Sequence, residues 1–181
     1  MKKIVVIGAS SSSTSINRVF ANYAASSLSY DYKVIDLPLA DYEMAIYSED
    51  RQKKNGIPEK ALKFKQEITN CDGLIISFAE HNGTYTSAFK NIYDWISVIE
   101  NDVWCSKPML LLSTSTGGRG GVTVLKAAYE RFSLDYKHNI PYFALPSFKQ
   151  NFDLNEGIIN VRLNQDFQTI LLDLENILNG N

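Results

Sequence analysis

Three stretches of this chain combine residue types that can hold a ligand. The first is Gly8-Ala9-Ser10-Ser11-Ser12-Ser13-Thr14-Ser15-Ile16-Asn17, small, rich in hydroxyls and without charge. It lies between an apolar run, Ile4 to Ile7, and a helix-like segment from Arg18 to Ala25. A turn from a buried strand into a helix presents outward-pointing N–H groups at an electropositive helix end. Hydroxyls add donors, and the combination suits a phosphate. The second stretch, Ala79-Glu80-His81-Asn82-Gly83-Thr84-Tyr85, contains the turn signal Asn82-Gly83. Its Asn and backbone amides can pair with the edge of a planar heterocycle, and His81 or Tyr85 offers a flat face. The third, Ser113-Thr114-Ser115-Thr116-Gly117-Gly118-Arg119-Gly120-Gly121, has glycines that let a flat ligand approach the backbone closely.

Each stretch must be placed by the elements around it. Short apolar runs at Ile4–Ile7, Tyr32–Leu37, Leu74–Ala79, Met109–Ser113 and Ile140–Leu145 read as strands. Helical spacing covers the segment after the first loop, Pro58 to Cys71 with the proline at N1, Thr86 to Glu100, Val122 to about Leu134, and Val161 to Leu178. The segment from Leu39 to Gly56 reads as a loop or short helical turns near the site. Continuous apolar strands alternating with helices imply a parallel sheet covered on both faces. The expectation is one α/β domain over residues 1–181, a three-layer flavodoxin-like sandwich with strand order 2-1-3-4-5. In that order the loops after strands one, three and four share one edge, where ligands bind. Those loops are the three unusual stretches.

Bulk composition narrows the function classes. With 181 residues and a formal net charge of −2, nothing calls for nucleic acid or an acidic membrane surface. No apolar run is long enough for a membrane span. Cys71 and Cys105 are the only cysteines, without CxxC spacing, and fit a reducing cytoplasm. His81 and His138 are the only histidines, which excludes a multi-histidine metal site. GxxxxGK[ST], GxGxxG and GxSxG are all missing.

Taken together, the three loops resemble the NADPH-dependent FMN reductase family, which includes quinone, azo-dye and chromate reductases. Ala9 to Asn17 is similar to that family's G-S-x-R-x-x-S-x-N loop, with Ala9 in the glycine place and Ser12 in the arginine place. Glu80-His81-Asn82-Gly83 with Lys90-Asn91-Ile92-Tyr93-Asp94-Trp95 resembles P-E-Y-N-G…K-N-x-x-D-W, with Ala79 for proline and His81 for tyrosine. Ser113 to Gly121 resembles S-x-S-x-G-G-x-G-G. The resemblance implies a two-electron reductase with non-covalent FMN, using NADPH or NADH and a small-molecule electron acceptor. Hydride chemistry would occur on FMN, without a catalytic side chain. Ser10, Ser12, Ser15, Ile16 and Asn17 would hold the phosphate. Ala79, Glu80, His81, Asn82 and Gly83 would line the ring and ribityl chain, and Ser115, Thr116, Gly117 and Gly118 the ring's other edge. The alternative is a flavodoxin-type electron carrier, against which stand the near-neutral charge and the lack of a T/S-x-T-G-x-T loop. The family commonly forms dimers or tetramers, so a homodimer or homotetramer is expected. Trp95 and Tyr93, partly outside the apolar stripe Phe89-Ile92-Ile96-Ile99, put the Thr86–Glu100 helix in the interface; the alternative is that Trp95 packs under the neighbouring helix or the loop from Leu39 to Gly56.

Overall fold

The apolar runs do become the strands of one sheet. The computed structural model describes every residue except 135, 137, 138 and 181, so His138 lies outside the described residues. The five parallel strands are β1 (Lys3–Ala9), β2 (Lys33–Asp36), β3 (Gly73–Phe78), β6 (Met109–Thr114) and β7 (Tyr142–Leu145). Their order is β2-β1-β3-β6-β7, the expected 2-1-3-4-5 arrangement. Side chains alternate between the faces of a strand, and both faces of β1 are apolar. Val5 and Ile7 join Leu74, Ile76 and Leu111 under α3 (Glu59–Thr69), α4 (Ser87–Ser97) and α5 (Val122–Ser133). Ile4 and Val6 join Ile75, Leu110 and Leu112 under α1 (Ile16–Ser26) and α7 (Val161–Asn179).

Helix ends follow the local chemistry. Ser15, Thr86 and Asn160 cap α1, α4 and α7 through side-chain oxygens that accept N–H groups one turn on. Gly180, at φ 73°, ends α7 in the left-handed conformation. Pro58 is the N-cap of α3, one place earlier than the N1 position expected of it. The irregular stretch after β2 resolves into a 3₁₀ turn, Leu39–Tyr42, and a two-turn helix, α2 (Glu49–Asn55). No residue of α2 is buried. Acidic residues in its first turn and lysines in its last support it instead.

Three features depart from the sequence expectations. The turn after β3 is itself a miniature hairpin, β4 (Glu80–His81) and β5 (Thr84–Tyr85). Between β7 and α7, a short α6 (Phe148–Asn151) leads into a second hairpin, β8 (Phe152–Asp153) and β9 (Gly157–Ile158). That hairpin packs on α1: Phe152 meets Phe20 and Tyr23 edge-on. The third departure concerns Trp95, which is 1% exposed within a single chain. Its indole N–H donates to the Ala45 carbonyl at 2.8 Å, and its ring meets Tyr47 edge-on. Asn91 fastens the same segment, donating to the Met44 carbonyl at 3.1 Å and accepting the Tyr47 N–H at 2.8 Å. Trp95 is therefore the anchor of the segment after β2 and is buried within its own chain. Tyr93 likewise stacks on Phe89 and Trp104.

Candidate functional site

The loop after β1 is wound upon itself by its own hydroxyls. The Ser10 N–H donates to the Gly8 carbonyl at 2.7 Å, the Ser12 N–H to Ser10 Oγ at 3.2 Å, and the Thr14 N–H to Ser12 Oγ at 3.3 Å. Gly8 is required by close approach: a Cβ there would collide with the Arg18 backbone where α1 crosses the strand. Ser15 Oγ accepts the Arg18 N–H at 3.2 Å. Ile16 and Asn17 are the first two residues of α1, and their N–H groups have no carbonyl behind them in the helix. Two backbone donors at a helix start, ringed by Ser10, Ser12 and Ser15, form a donor set suited to a phosphate.

Asn17 differs from the role the sequence suggested. Its side chain is 3% exposed and faces inward. Its Oδ1 accepts the Ser77 hydroxyl at 2.8 Å and the Thr114 N–H at 3.0 Å, while its Nδ2 donates to the Thr114 carbonyl at 3.0 Å. One amide thus ties the first loop to β3 and to the end of β6. Its backbone N–H, at the second position of α1, has no carbonyl partner within the helix. Thr86 adds a second tie, donating to the Ala9 carbonyl at 2.9 Å.

The hairpin after β3 turns at Asn82 (φ 52°) and Gly83 (φ 79°), the backbone signs of a tight two-residue connection. His81, Asn82, Gly83 and Thr84 are exposed, and Ala79 is half-buried. The Glu80 carboxylate accepts the Val124 N–H at 3.0 Å, capping the first turn of α5 beside the glycine-rich loop. Tyr85 also turns inward, its ring on Phe78 and Phe89. Burial pushes its hydroxyl up to about 12. Of the two proposed flat faces, only His81 stays at the surface.

The glycine-rich loop divides into two pairs. A Cβ at Gly120 would strike the Leu145 backbone, and Gly121, at φ 74°, starts α5 in the left-handed region. These two glycines serve the fold. Gly117 and Gly118 are exposed, and a Cβ at Gly118 would meet nothing within 4 Å. Nothing inside the chain requires glycine there, whereas a ligand lying against the backbone would. Ser115 and Gly117 point their carbonyls to α6, accepting the N–H groups of Phe148 and Ser147 at 2.9 Å each. Arg119 is tied to Thr123 on α5.

Thus the structure gathers Ser10, Ser12, Ser15, Ile16, Ala79–Gly83 and Ser115–Gly118 on the carboxyl edge of the sheet, with Asn17 and Glu80 as its fastenings. Sequence reasoning missed Ser77, Thr86 and Thr114. Ser77 left a signal, a lone hydroxyl inside the apolar run Leu74–Phe78. Two hollows flank the first loop. One, about 860 Å³, lies between Ser13–Ile16 and the chain around α6 and β8. The other, about 380 Å³, lies between Ser11 and the Leu39–Ile46 segment. Among the described residues no group of three or more metal-ligating side chains occurs, and no helix is long and apolar enough to cross a membrane.

Comparison with known proteins adds independent findings. A family model described as NADPH-dependent FMN reductase matches residues 2–145. A 2-hydroxy-1,4-benzoquinone reductase of Burkholderia sp. is 30% identical over 179 residues, covering 93% of this chain and 92% of that protein. An NADPH azoreductase of Bacillus sp. (strain OY1-2) is 28% identical over 142 residues, covering 77% and 73%. The flavoenzyme NAD(P)H:(acceptor) oxidoreductase of Paracoccus denitrificans superposes with a TM-score of 0.77 at 17% identity, covering 99% of this chain and 98% of that one.

Proposed function

The chain belongs to the NADPH-dependent FMN reductase family, and from that premise we propose that FMN lies along the carboxyl edge just described. The chain is an NAD(P)H-dependent flavin oxidoreductase. Bound there, FMN would supply two-electron redox chemistry between a nicotinamide and a small acceptor. The protein's part is to bind and orient. The N–H groups of Ile16 and Asn17, with the hydroxyls of Ser10, Ser12 and Ser15, hold the phosphate. Gly117 and Gly118 give the ring access to the backbone of one loop, and Ala79 to Gly83 line it from the other. The acceptor class is small quinones, supported by the similarity to the Burkholderia benzoquinone reductase.

The observation that carries this reading is the Asn17 amide. It fixes the first and third loops against β3 while leaving the helix-start donors for an anion. Preorganised donors of this kind cost no rearrangement on binding. The test is titration of the apoprotein with FMN and FAD, followed by NADPH and NADH oxidation with 1,4-benzoquinone as acceptor. FMN binding tighter than FAD, with quinone-dependent turnover, is expected. FAD binding as tight as FMN, or no oxidation of either nicotinamide by the FMN-loaded protein, overturns it.

A further inference from the structure

Residues 10–16 carry no charged side chain, yet the group they are proposed to hold is an anion. A phosphate monoester bears about −1.5 to −2 charges at neutral pH. A helix N-terminus offers the equivalent of about +0.5. Backbone and hydroxyl donors can hold such a group unaided, and a cation near the loop would strengthen the hold. Two cationic side chains line the 860 Å³ hollow beside it, Arg18 and Lys149.

Arg18 is already committed. Its Nε and Nη2 both donate to Asp36 Oδ2 at 2.8 Å. The other carboxylate oxygen of Asp36 is buried without a partner. Withdrawing Arg18 would leave that carboxylate with only the Asn22 amide at 3.4 Å, which is costly at a partly buried site. Lys149 is different. It is exposed, and among the described residues its ammonium enters no ion pair or hydrogen bond. Its root is well fixed. The N–H groups of Ser147 and Phe148 donate to the glycine-rich loop, the Asn151 amide donates to the Pro146 carbonyl at 2.9 Å, and Phe148 stacks on Phe152 at 4.6 Å. Asp153, the remaining acid of the hollow, accepts the N–H groups of Asn155 and Glu156 within its own turn. The hollow therefore sets one unmatched ammonium beside the hydroxyl loop.

We infer that Lys149, reaching from α6 across this hollow, supplies the positive charge that neutralises the FMN phosphate held at the start of α1. The inference rests on the reading of that loop as the phosphate site. Lys149 is a binding residue for the cofactor and takes no part in hydride transfer. Its charge acts on the phosphate alone, so riboflavin, which lacks the phosphate, is blind to it.

The experiment compares FMN and riboflavin dissociation constants, by quenching of flavin fluorescence, for wild type, Lys149→Ala, Lys149→Arg and the double variant Ser12→Arg/Lys149→Ala. Lys149→Ala should weaken FMN by about ten- to hundredfold, the range of a charged hydrogen bond, with riboflavin affinity unchanged. Lys149→Arg should retain FMN affinity, and the double variant should regain it, because a guanidinium within the loop replaces the distant ammonium. FMN affinity unaltered by Lys149→Ala, or FMN and riboflavin weakened alike, overturns the inference while leaving the flavoprotein reading intact. A wild type that binds neither flavin, or binds riboflavin as tightly as FMN, overturns the phosphate-site reading itself and this inference with it.

Discussion

A buried polar side chain fastens loops at each end of the sheet, Asn17 at the carboxyl edge and Lys65 at the amino edge. Lys65, on α3, is 5% exposed. Its ammonium lies 2.8 Å from the carbonyls of Asp102 and Val103, 2.9 Å from the Glu100 carboxylate and 3.1 Å from Cys105 Sγ. Its three N–H groups thus serve four acceptors. The loop it closes is strained, with Cys105 at φ 53° and Ser106 at φ 49°. Asn17 works differently. Its side chain binds the backs of the loops, and the N–H groups at the front of α1 stay directed outward. Buried polarity alone therefore does not mark a site. Donors left unmatched beside a rigid fastening do.

The comparison breaks first at Lys65. Lys65→Met should lower stability by about 2–4 kcal/mol, because it strands the Asp102 and Val103 carbonyls, while the exposed Glu100 is left to solvent. FMN affinity should not change, since the loop lies at the opposite end. Urea unfolding with flavin titration checks both. A loss under about 1 kcal/mol would mean that the 101–107 loop is held by other contacts.

Next is Asn17→Leu, expected to cost about 2–4 kcal/mol through the unpaired Ser77 and Thr114 groups. Unlike the Lys65 variant, it should also weaken FMN, because the first and third loops lose their tie. Ser77→Ala removes only one of the three bonds and should show the smaller effect in both measurements. Equal FMN affinity in Asn17→Leu and wild type would remove the link between fastening and binding.

The smallest effect is silent at neutral pH. Burial raises the Cys71 thiol from 9.0 to about 11, and the Tyr85 and Tyr136 hydroxyls from 10.0 to about 12. The folded chain holds these protons more tightly than the unfolded chain does. The stability they contribute is complete below about pH 9 and is lost as pH rises through 11 and 12, by about 1.4 kcal/mol per unit for each group. Cys71→Ala should delay the onset from the amino end, and Tyr85→Phe should trim the later loss at the site end. Thermal melts from pH 8 to 12 distinguish the two, and a flat profile for wild type would contradict the burial argument.

Much of this was legible in the sequence, for definite reasons. A strand buried on both faces must be apolar throughout, so Ile4–Ile7 and Met109–Leu112 announce themselves, and their parallel arrangement follows from alternation with helices, while their order came with the flavodoxin-like reading. The three loops stand out because hydroxyls and glycines have no packing purpose in such numbers. The inward turn of Asn17 and the capping role of Glu80 were not legible, and for Trp95 the pattern left an interface and burial under the Leu39–Gly56 segment both open. Each is decided by partners far along the chain: Thr114, Val124 and Ala45. The chain between β7 and α7 was missed because two-residue strands leave no periodic pattern, though they position Lys149 and Phe152.

The Asn17 tie also has a consequence in time. Its partner Thr114 lies 97 residues further along the chain. Ribosomes add about 5–20 residues per second, so the first loop is made roughly 5–20 seconds before the strand that satisfies it. Until then the amide and the loop remain solvated, and the nascent chain has β1 and α1 but no rigid anion cradle. The proposed cofactor seat is thus among the last parts of the sheet to be completed, although its first residues are among the earliest synthesised.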